Sequence, residues 1–132
     1  MYRDVYSGWL KISGEDDTRT LRAANNYALS LVKLRRYREA KSWLRRTLPV
    51  ARRVLGEGNE TTLNLRWICA MALYKADGAT LDDLREAVNT LEGTERTARR
   101  VMGGTHPLTM QIEPSLRNAR AALRARERPG ST

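Results

Sequence analysis

Apolar residues recur at every third or fourth position along much of the chain, which is the pattern of amphipathic helices. In the segment 20–34 these residues are Leu21, Ala24, Ala28, Leu31 and Val32. A second stripe runs through 37–55, and Gly56 follows it. Glycine suits the end of a helix because it adopts the left-handed conformation at little cost. The pattern therefore predicts two helices joined by a short turn.

This pair of helices is duplicated along the chain. Residues 14–21 align with 56–63 at an offset of 42, and 103–110 follows at a further offset of 47. Two other pairs of segments agree on the offset of 47, so the second unit carries five extra residues, near 76–80. Such a period is typical of repeat proteins, in which each unit packs on its neighbours.

Local signals mark the second helix of the second unit. Thr80 and Asp83 suit a capping box at its start, and Gly103 and Gly104 follow its end. Gly93 lies inside this helix and weakens it by about 1 kcal/mol relative to alanine.

The last predicted helix, which begins near Pro107, differs from its counterparts at one position. Arg117 stands where the earlier copies have Ala28 and Ala70. A large charged side chain fits there only if no further helix packs on it. We therefore expect this helix to cap the array.

The whole pattern predicts a single all-α domain over residues 1–126. It comprises a half unit in 2–12, two full units and the capping helix, which makes about six antiparallel helices. A frayed tail follows at 127–132.

Four short motifs carry a resemblance to a known family. Residues 25–28, 36–40 and 54–56 read Asn-Asn-Tyr-Ala, Arg-Tyr-Arg-Glu-Ala and Val-Leu-Gly. Together with the Gly-x-x-His-Pro-x-Thr form of 103–109, they resemble the tetratricopeptide repeats of kinesin light chains, whose units are longer than the common version of roughly 34 residues. The resemblance covers roughly residues 14–120. It implies a solenoid of helical hairpins in a right-handed superhelix, whose first helices line a concave groove.

The resemblance also implies a binding site, in which a peptide lies in the groove and asparagine side chains pair with its backbone. Asparagine suits this task because its amide both donates and accepts hydrogen bonds. The groove-facing positions are then Arg22, Asn25, Leu29, Lys33, Asn64, Trp67, Met71, Lys75, Gln111 and Asn118. In this set Lys33 and Lys75 favour an acidic or carboxylate-ended ligand. Trp67 and Met71 would supply the apolar contact.

Simpler interpretations of the same residues stay open. Asn25 would also suit a role in stabilising the repeat itself. Trp67 fits either the groove or the core, and Trp43 likewise fits either an exposed position or packing in the core or between repeats. Lys33 and Lys75 also suit solvated helix ends.

The net charge of +9 is distributed in blocks. Residues 33–55 carry +8, 77–95 carry −5 and 96–132 carry +6. Arginines on the second helices would form a basic ridge: Arg45, Arg46, Arg52, Arg53, Arg99 and Arg100. Its partner would be an acidic protein surface, an anionic lipid or nucleic acid, although no aromatic side chains interleave with the charge as nucleic-acid stacking requires. A solvated helix face is the alternative.

Few residues favour catalysis, a cofactor or a metal site. Cys69 is the one cysteine and His106 the one histidine, which leaves too few ligands for zinc and no disulfide. His106 precedes Pro107 in a connection between units, where it suits a structural role, and Cys69 falls at a position expected to be buried. No apolar run is long enough to span a membrane or to act as a secretory signal, so we expect an intracellular, cytoplasmic protein.

These observations predict a protein- or peptide-binding scaffold with an acidic partner, without enzymatic activity or a cofactor. Two alternatives remain. One is a structural subunit that docks into a larger assembly through its basic helices, and the other is nonspecific binding of polyanions such as RNA.

Overall fold

The computed structural model describes residues 18–127, and this part of the chain is helical apart from short connections. Five helices follow one another in it: α1 (Thr18–Lys33), α2 (Tyr37–Leu55), α3 (Glu60–Tyr74), α4 (Leu81–Met102) and α5 (Pro107–Glu127). The predicted all-α fold is confirmed. The helix expected in 2–12 and the tail residues 128–132 lie outside the described residues.

The helices stack as successive hairpins. α1 packs on α2 and α3 packs on α4, while the first helices also pack on one another, α1 on α3 and α3 on α5. The backbones of α2 and α4 stay apart and are bridged by long side chains. Lys41 Nζ lies 3.1 Å from Asp83 Oδ1, and Arg45 makes a second bridge to α4. The array is therefore more tightly packed on the side of α1, α3 and α5.

Small side chains let the helices approach closely. Fully buried alanines lie at the contacts, among them Ala24, Ala28, Ala40, Ala51, Ala70, Ala87, Ala98 and Ala119. Buried leucines fill the space between them, including Leu21, Leu44, Leu63, Leu73 and Leu91. The centre of this core is α3, which contacts all four other helices and buries nine of its 15 residues. Loss of a large side chain from α3 would therefore disturb both hairpins.

Two glycines end the second helices in the same way. Gly56 has a φ of 89° and Gly103 a φ of 90°, and this conformation strains a residue that carries a Cβ. Each N–H donates to the carbonyl oxygen four residues earlier at 3.1 Å, which satisfies one of the last carbonyls of the helix. The helix ends predicted at both glycines are confirmed.

The capping box predicted at the start of α4 is also confirmed. Thr80 Oγ1 accepts from the N–H of Asp83 at 3.0 Å, and Asp83 Oδ2 accepts from the N–H of Thr80 at 3.0 Å. The hydrogen bond from the Thr80 N–H, with help from the Lys41 ammonium, holds the pKa of Asp83 below its ordinary value. The same carboxylate thus starts α4 and ties it to α2.

His106 caps α5 and links it to α3. Its Nδ1 accepts from the N–H of Leu108 at 3.1 Å, and its Nε2 lies 3.2 Å from Glu60 Oε1. Both nitrogens are occupied by structural contacts. The structural role predicted for this histidine is confirmed.

Trp43 joins α2 to α1 within the first unit. Its indole Nε1–H donates to the carbonyl oxygen of Ala24 at 3.1 Å. The ring of Tyr27 meets it edge-on, with the ring centroids 4.7 Å apart and the planes at 82°. Of the two interpretations offered for Trp43, the structure selects core packing.

The last helix carries an exposed arginine where its counterparts carry buried alanine. Arg117 is exposed, whereas Ala28 and Ala70 are 0% exposed. α5 extends one residue beyond the predicted end of the domain at 126, because Glu127 is still helical and its Oε2 lies 3.3 Å from Arg85 Nη2.

Candidate protein-interaction site

Two asparagines from different units meet on the side of α1 and α3. Asn64 Nδ2 donates to Asn25 Oδ1 at 3.0 Å, and both residues are half-buried. The two N–H groups of the Asn25 amide and the Oδ1 of Asn64 have no hydrogen-bond partner within residues 18–127. The pair therefore keeps unused donors and an unused acceptor. We call the surface around Asn25, Asn64 and Trp67 the first-helix face.

The apolar part of this face is smaller than the sequence predicted. Met71 exposes only 6% of its surface, so the expectation of an exposed groove contact is wrong. It is buried because α3 is covered by α1 on one side and by α5 on the other. Leu29, its counterpart in the first unit, is half-buried and packs against the core.

Trp67 packs against the core but is not fully enclosed by it. It is half-buried and packs against the core, and its indole Nε1–H donates to Ser115 Oγ at 2.9 Å. This hydrogen bond joins α3 to α5, as the asparagine pair joins α1 to α3. The first-helix face thus carries a polar link at each contact between first helices.

Exposed cations lie on the first helices or directly after them. Arg22, Lys33 and Lys75 are exposed, and none forms an ion pair with a residue in the described part of the chain. Gln111 and Asn118 are exposed on α5, although no side-chain hydrogen bond among the described residues connects them to the pair. The face therefore carries positive charge that residues 18–127 do not neutralise.

The predicted basic ridge is exposed but is partly neutralised by the chain itself. All six arginines are exposed: Arg45, Arg46, Arg52, Arg53, Arg99 and Arg100. Arg45 Nη2 lies 3.4 Å from Glu86 Oε1, and Arg52 Nε lies 3.3 Å from Glu57 Oε1. Arg99 contacts a carboxylate of α5, with its Nη2 3.6 Å from Glu113 Oε2. Such exposed pairs contribute little stability, but they reduce the charge offered to a partner.

The blocks of charge in the sequence are explained by these pairs. The acidic segment forms the first part of α4, and α4 lies between the basic helices α2 and α5. Arg120 of α5 reaches Glu92 at 2.9 Å, and Arg85 reaches α5 in the opposite direction. Much of the charge pattern thus serves contact between units.

Sequence reasoning missed Arg66, which lies between α3 and α4. Its side chain is only 12% exposed, and Nη1 lies 3.7 Å from Glu57 Oε1. A Cβ at Gly93 would lie 3.0 Å from its Nη2, so the glycine makes room for the guanidinium. Burial lowers the pKa of Arg66, the Glu57 carboxylate opposes this, and Arg52 and Arg96 add to the lowering. The sequence feature that indicates this site is Gly93, a glycine inside a predicted helix.

The described residues offer little for catalysis or metal binding. No group of three or more potential metal ligands occurs among residues 18–127. Cys69 is 7% exposed, and burial raises the pKa of its thiol to about 11, which disfavours the reactive thiolate. Among the described helices, none has the length and apolar character needed to cross a membrane.

Comparison with known proteins identifies the repeat. A family model described as tetratricopeptide repeat matches residues 20–60, which span most of α1, all of α2 and the first residue of α3. No curated protein matches the chain. The matched repeat, and the stacked helical hairpins on which it falls, support a tetratricopeptide repeat protein.

Proposed function

We propose that the protein is a protein–protein interaction scaffold that binds an acidic segment of a partner across the first-helix face. The observation that carries this proposal is the hydrogen-bonded pair of Asn25 and Asn64, with exposed cations on the same helices. Tetratricopeptide repeats generally mediate interactions between proteins, which supports the same conclusion.

The asparagine pair suits recognition of a peptide backbone. An extended peptide presents N–H donors and C=O acceptors in alternation, and it needs a partner for each kind when it leaves water. The unused N–H groups of Asn25 and the unused Oδ1 of Asn64 would provide both. Because these contacts do not depend on peptide side chains, they give affinity without fixing the sequence.

Charge then selects the class of peptide. Arg22, Lys33 and Lys75 are exposed and have no ion-pair partner among the described residues. These positive charges would attract aspartate, glutamate or a terminal carboxylate of the peptide, and they would repel a basic segment. The resemblance to kinesin light chains, with their long repeats, supports a groove of this kind. We propose that binding requires neither a cofactor nor a chemical step.

Selection of peptides from a random library on the immobilised protein tests the proposal. We expect the selected peptides to be rich in aspartate and glutamate, with their affinity measured by fluorescence anisotropy. The double variant Asn25→Ala/Asn64→Ala should weaken binding by on the order of tenfold or more, because two backbone hydrogen bonds are lost.

The matched control is Arg46→Gln/Arg100→Gln, which removes two exposed charges from the second helices. We expect it to leave the affinity nearly unchanged at physiological salt. If the control weakens binding and the asparagine variant does not, the partner binds the second helices and the proposal is wrong. A steep loss of affinity with salt in every variant would instead indicate nonspecific polyanion binding.

A further inference from the structure

Arg66 of α3 lies close to one arginine of α2, Arg52, and to one of α4, Arg96. Arg52 Nε and Arg66 Nη1 lie 3.3 and 3.7 Å from the same oxygen, Oε1 of Glu57. Nη2 of Arg66 and Nη2 of Arg96 lie 3.0 and 3.9 Å from the point where a Cβ on Gly93 would stand. Both guanidiniums therefore lie next to Gly93, where the missing Cβ leaves room for them.

This cluster carries more positive charge than the described residues neutralise. Its three guanidiniums and the single carboxylate of Glu57 leave a local charge of about +2, since arginine stays protonated. The other carboxylates of α4 nearby in sequence are engaged elsewhere, because Glu92 pairs with Arg120 at 2.9 Å and Glu95 lies 3.8 Å from Arg99. Within residues 18–127, Arg96 forms no ion pair.

One hydrogen-bond donor of Arg66 also has no acceptor in the described part of the chain. Its Nε is buried and has no hydrogen-bond partner within residues 18–127. A guanidinium that is largely buried with few acceptors is costly, and an apolar side chain would fill the same space without that cost. The arrangement is explained if a further anion completes it.

We propose that Arg52, Arg66 and Arg96 form a binding site for a phosphate monoester. Such a group carries a charge of about −1.5 to −2 at pH 7 and three acceptor oxygens, which match the residual charge and the number of arginines. Guanidiniums bind phosphate oxygens with paired N–H groups, and this favours arginine over lysine in such a site. The carboxylate of Glu57 is 59% exposed on a connection between helices, so it gives way to the ligand.

A cleft beside the cluster accommodates the remainder of the ligand. It lies between α2 and α4 and has a volume of about 230 Å³. Arg52 lies on its wall together with the apolar side chains of Leu48 and Pro49. The ion-paired Arg45 and Glu86 also line it, whereas Arg66 and Arg96 do not. The ligand is therefore a phosphate group attached to a small or apolar remainder, either a phosphorylated side chain of a partner or a free phosphorylated compound. This site is separate from the first-helix face and does not depend on the proposed function.

Titration of the whole chain with two probes tests the site. The probes are inorganic phosphate and an acetylated, amidated Ala-phosphoserine-Ala peptide, each compared with chloride at constant ionic strength. We expect a saturable rise in the melting temperature with at least one probe, because a ligand that binds only the folded state stabilises it. Arg66→Gln and Arg96→Gln should each weaken binding by on the order of tenfold, since each loses a charge-assisted hydrogen bond.

Two further variants separate binding from folding. Glu57→Gln should tighten binding, because it removes the competing carboxylate, and a misfolded variant would not show this gain. Arg100→Gln removes an exposed arginine one turn further along α4 and should leave the affinity unchanged. Binding of the peptide at least as tight as that of phosphate indicates a phosphorylated partner, and binding of phosphate alone indicates a free compound. The absence of saturable binding by both probes, or an equal loss in Arg100→Gln, would overturn the proposal.

Discussion

Asn64 Nδ2 donates a hydrogen bond to Asn25 Oδ1 at 3.0 Å, and this one contact joins the first helices of two different repeat units. The two residues are 39 positions apart, so they are not equivalent positions in the repeat period of 42. The contact runs diagonally between α1 and α3. The pair therefore links two units, and its unused amide groups are the ones that we propose bind a partner.

The first prediction concerns the strength of this contact. In a double-mutant cycle of Asn25→Ala and Asn64→Ala, we expect a coupling of about 1 kcal/mol in the free energy of unfolding, the usual contribution of a neutral hydrogen bond. Urea denaturation of the four proteins measures it. Strictly additive effects would show that the two amides do not interact.

The second prediction concerns the glycine inside α4. Alanine at an exposed helix position is more stable than glycine by about 1 kcal/mol. At Gly93 this gain should be absent, because the new Cβ would lie 3.0 Å from Arg66 Nη2. In the background of Arg66→Ala, Gly93→Ala should recover the full gain. Thermal unfolding of the four proteins measures both effects. Equal gains in the two backgrounds would show that the Arg66 side chain does not lie against Gly93.

The sequence predicted the boundaries of the helices well because local residues determine where a helix ends. The stripe in 37–55 corresponds to α2, Tyr37–Leu55, and Gly56 ends that helix with the positive φ that only glycine adopts cheaply. The boundaries of the first helix were predicted less accurately. The helix α1, Thr18–Lys33, begins two residues before the predicted stripe of 20–34 and ends one residue before it does.

Contacts between units were harder to predict because they depend on how the helices are rotated against one another. Leu29 and Met71 are equivalent in the repeat, yet the first is half-buried and the second is buried, since α3 has a first helix on each side. The sequence places Arg45 on the predicted basic ridge and Glu86 in the acidic segment 77–95, without indicating that the two are neighbours. Their 3.4 Å ion pair follows from the stacking of α2 beside α4.

The third prediction concerns the pH dependence of the α4 cap. The pKa of Asp83 is held below its ordinary value of 3.8, so its stabilising effect is complete above that value. The effect is lost as the pH falls through the lower pKa of the folded state. Asp83→Asn should therefore lower the free energy of unfolding at pH 7 by about 1 kcal/mol, and the difference from the original protein should shrink in acid.

The neighbouring Asp82 provides the control for this measurement. Its side chain is 95% exposed, and its contact with Arg85 is long, at 3.8 Å. Asp82→Asn should change stability little at any pH. If the two variants have the same pH profile, the capping box does not account for the acid sensitivity.

The fourth prediction concerns the reactivity of Cys69, the one thiol in the chain. Burial raises its pKa from 9.0 to about 11, so the thiolate fraction at pH 8 should be about a hundredfold lower than in the unfolded chain. Reaction with a chromogenic disulfide reagent, followed in buffer and in concentrated urea, measures the difference. A native rate within a few-fold of the unfolded rate would show that the thiol is accessible.

The most direct test of a partner site on the first-helix face is to follow the tryptophan indole signals by NMR during titration with a selected acidic peptide. The signals are assigned with Trp43→Phe and Trp67→Phe. Trp67 lies on the first-helix face and Trp43 lies in the packing of α1 against α2, so the two report on different surfaces. We predict that the Trp67 indole signal and the side-chain amide signals of Asn25 and Asn64 shift with saturation, while the Trp43 signal stays in place. Saturable shifts confined to Trp43, with Trp67 and both asparagines unchanged, would contradict the account.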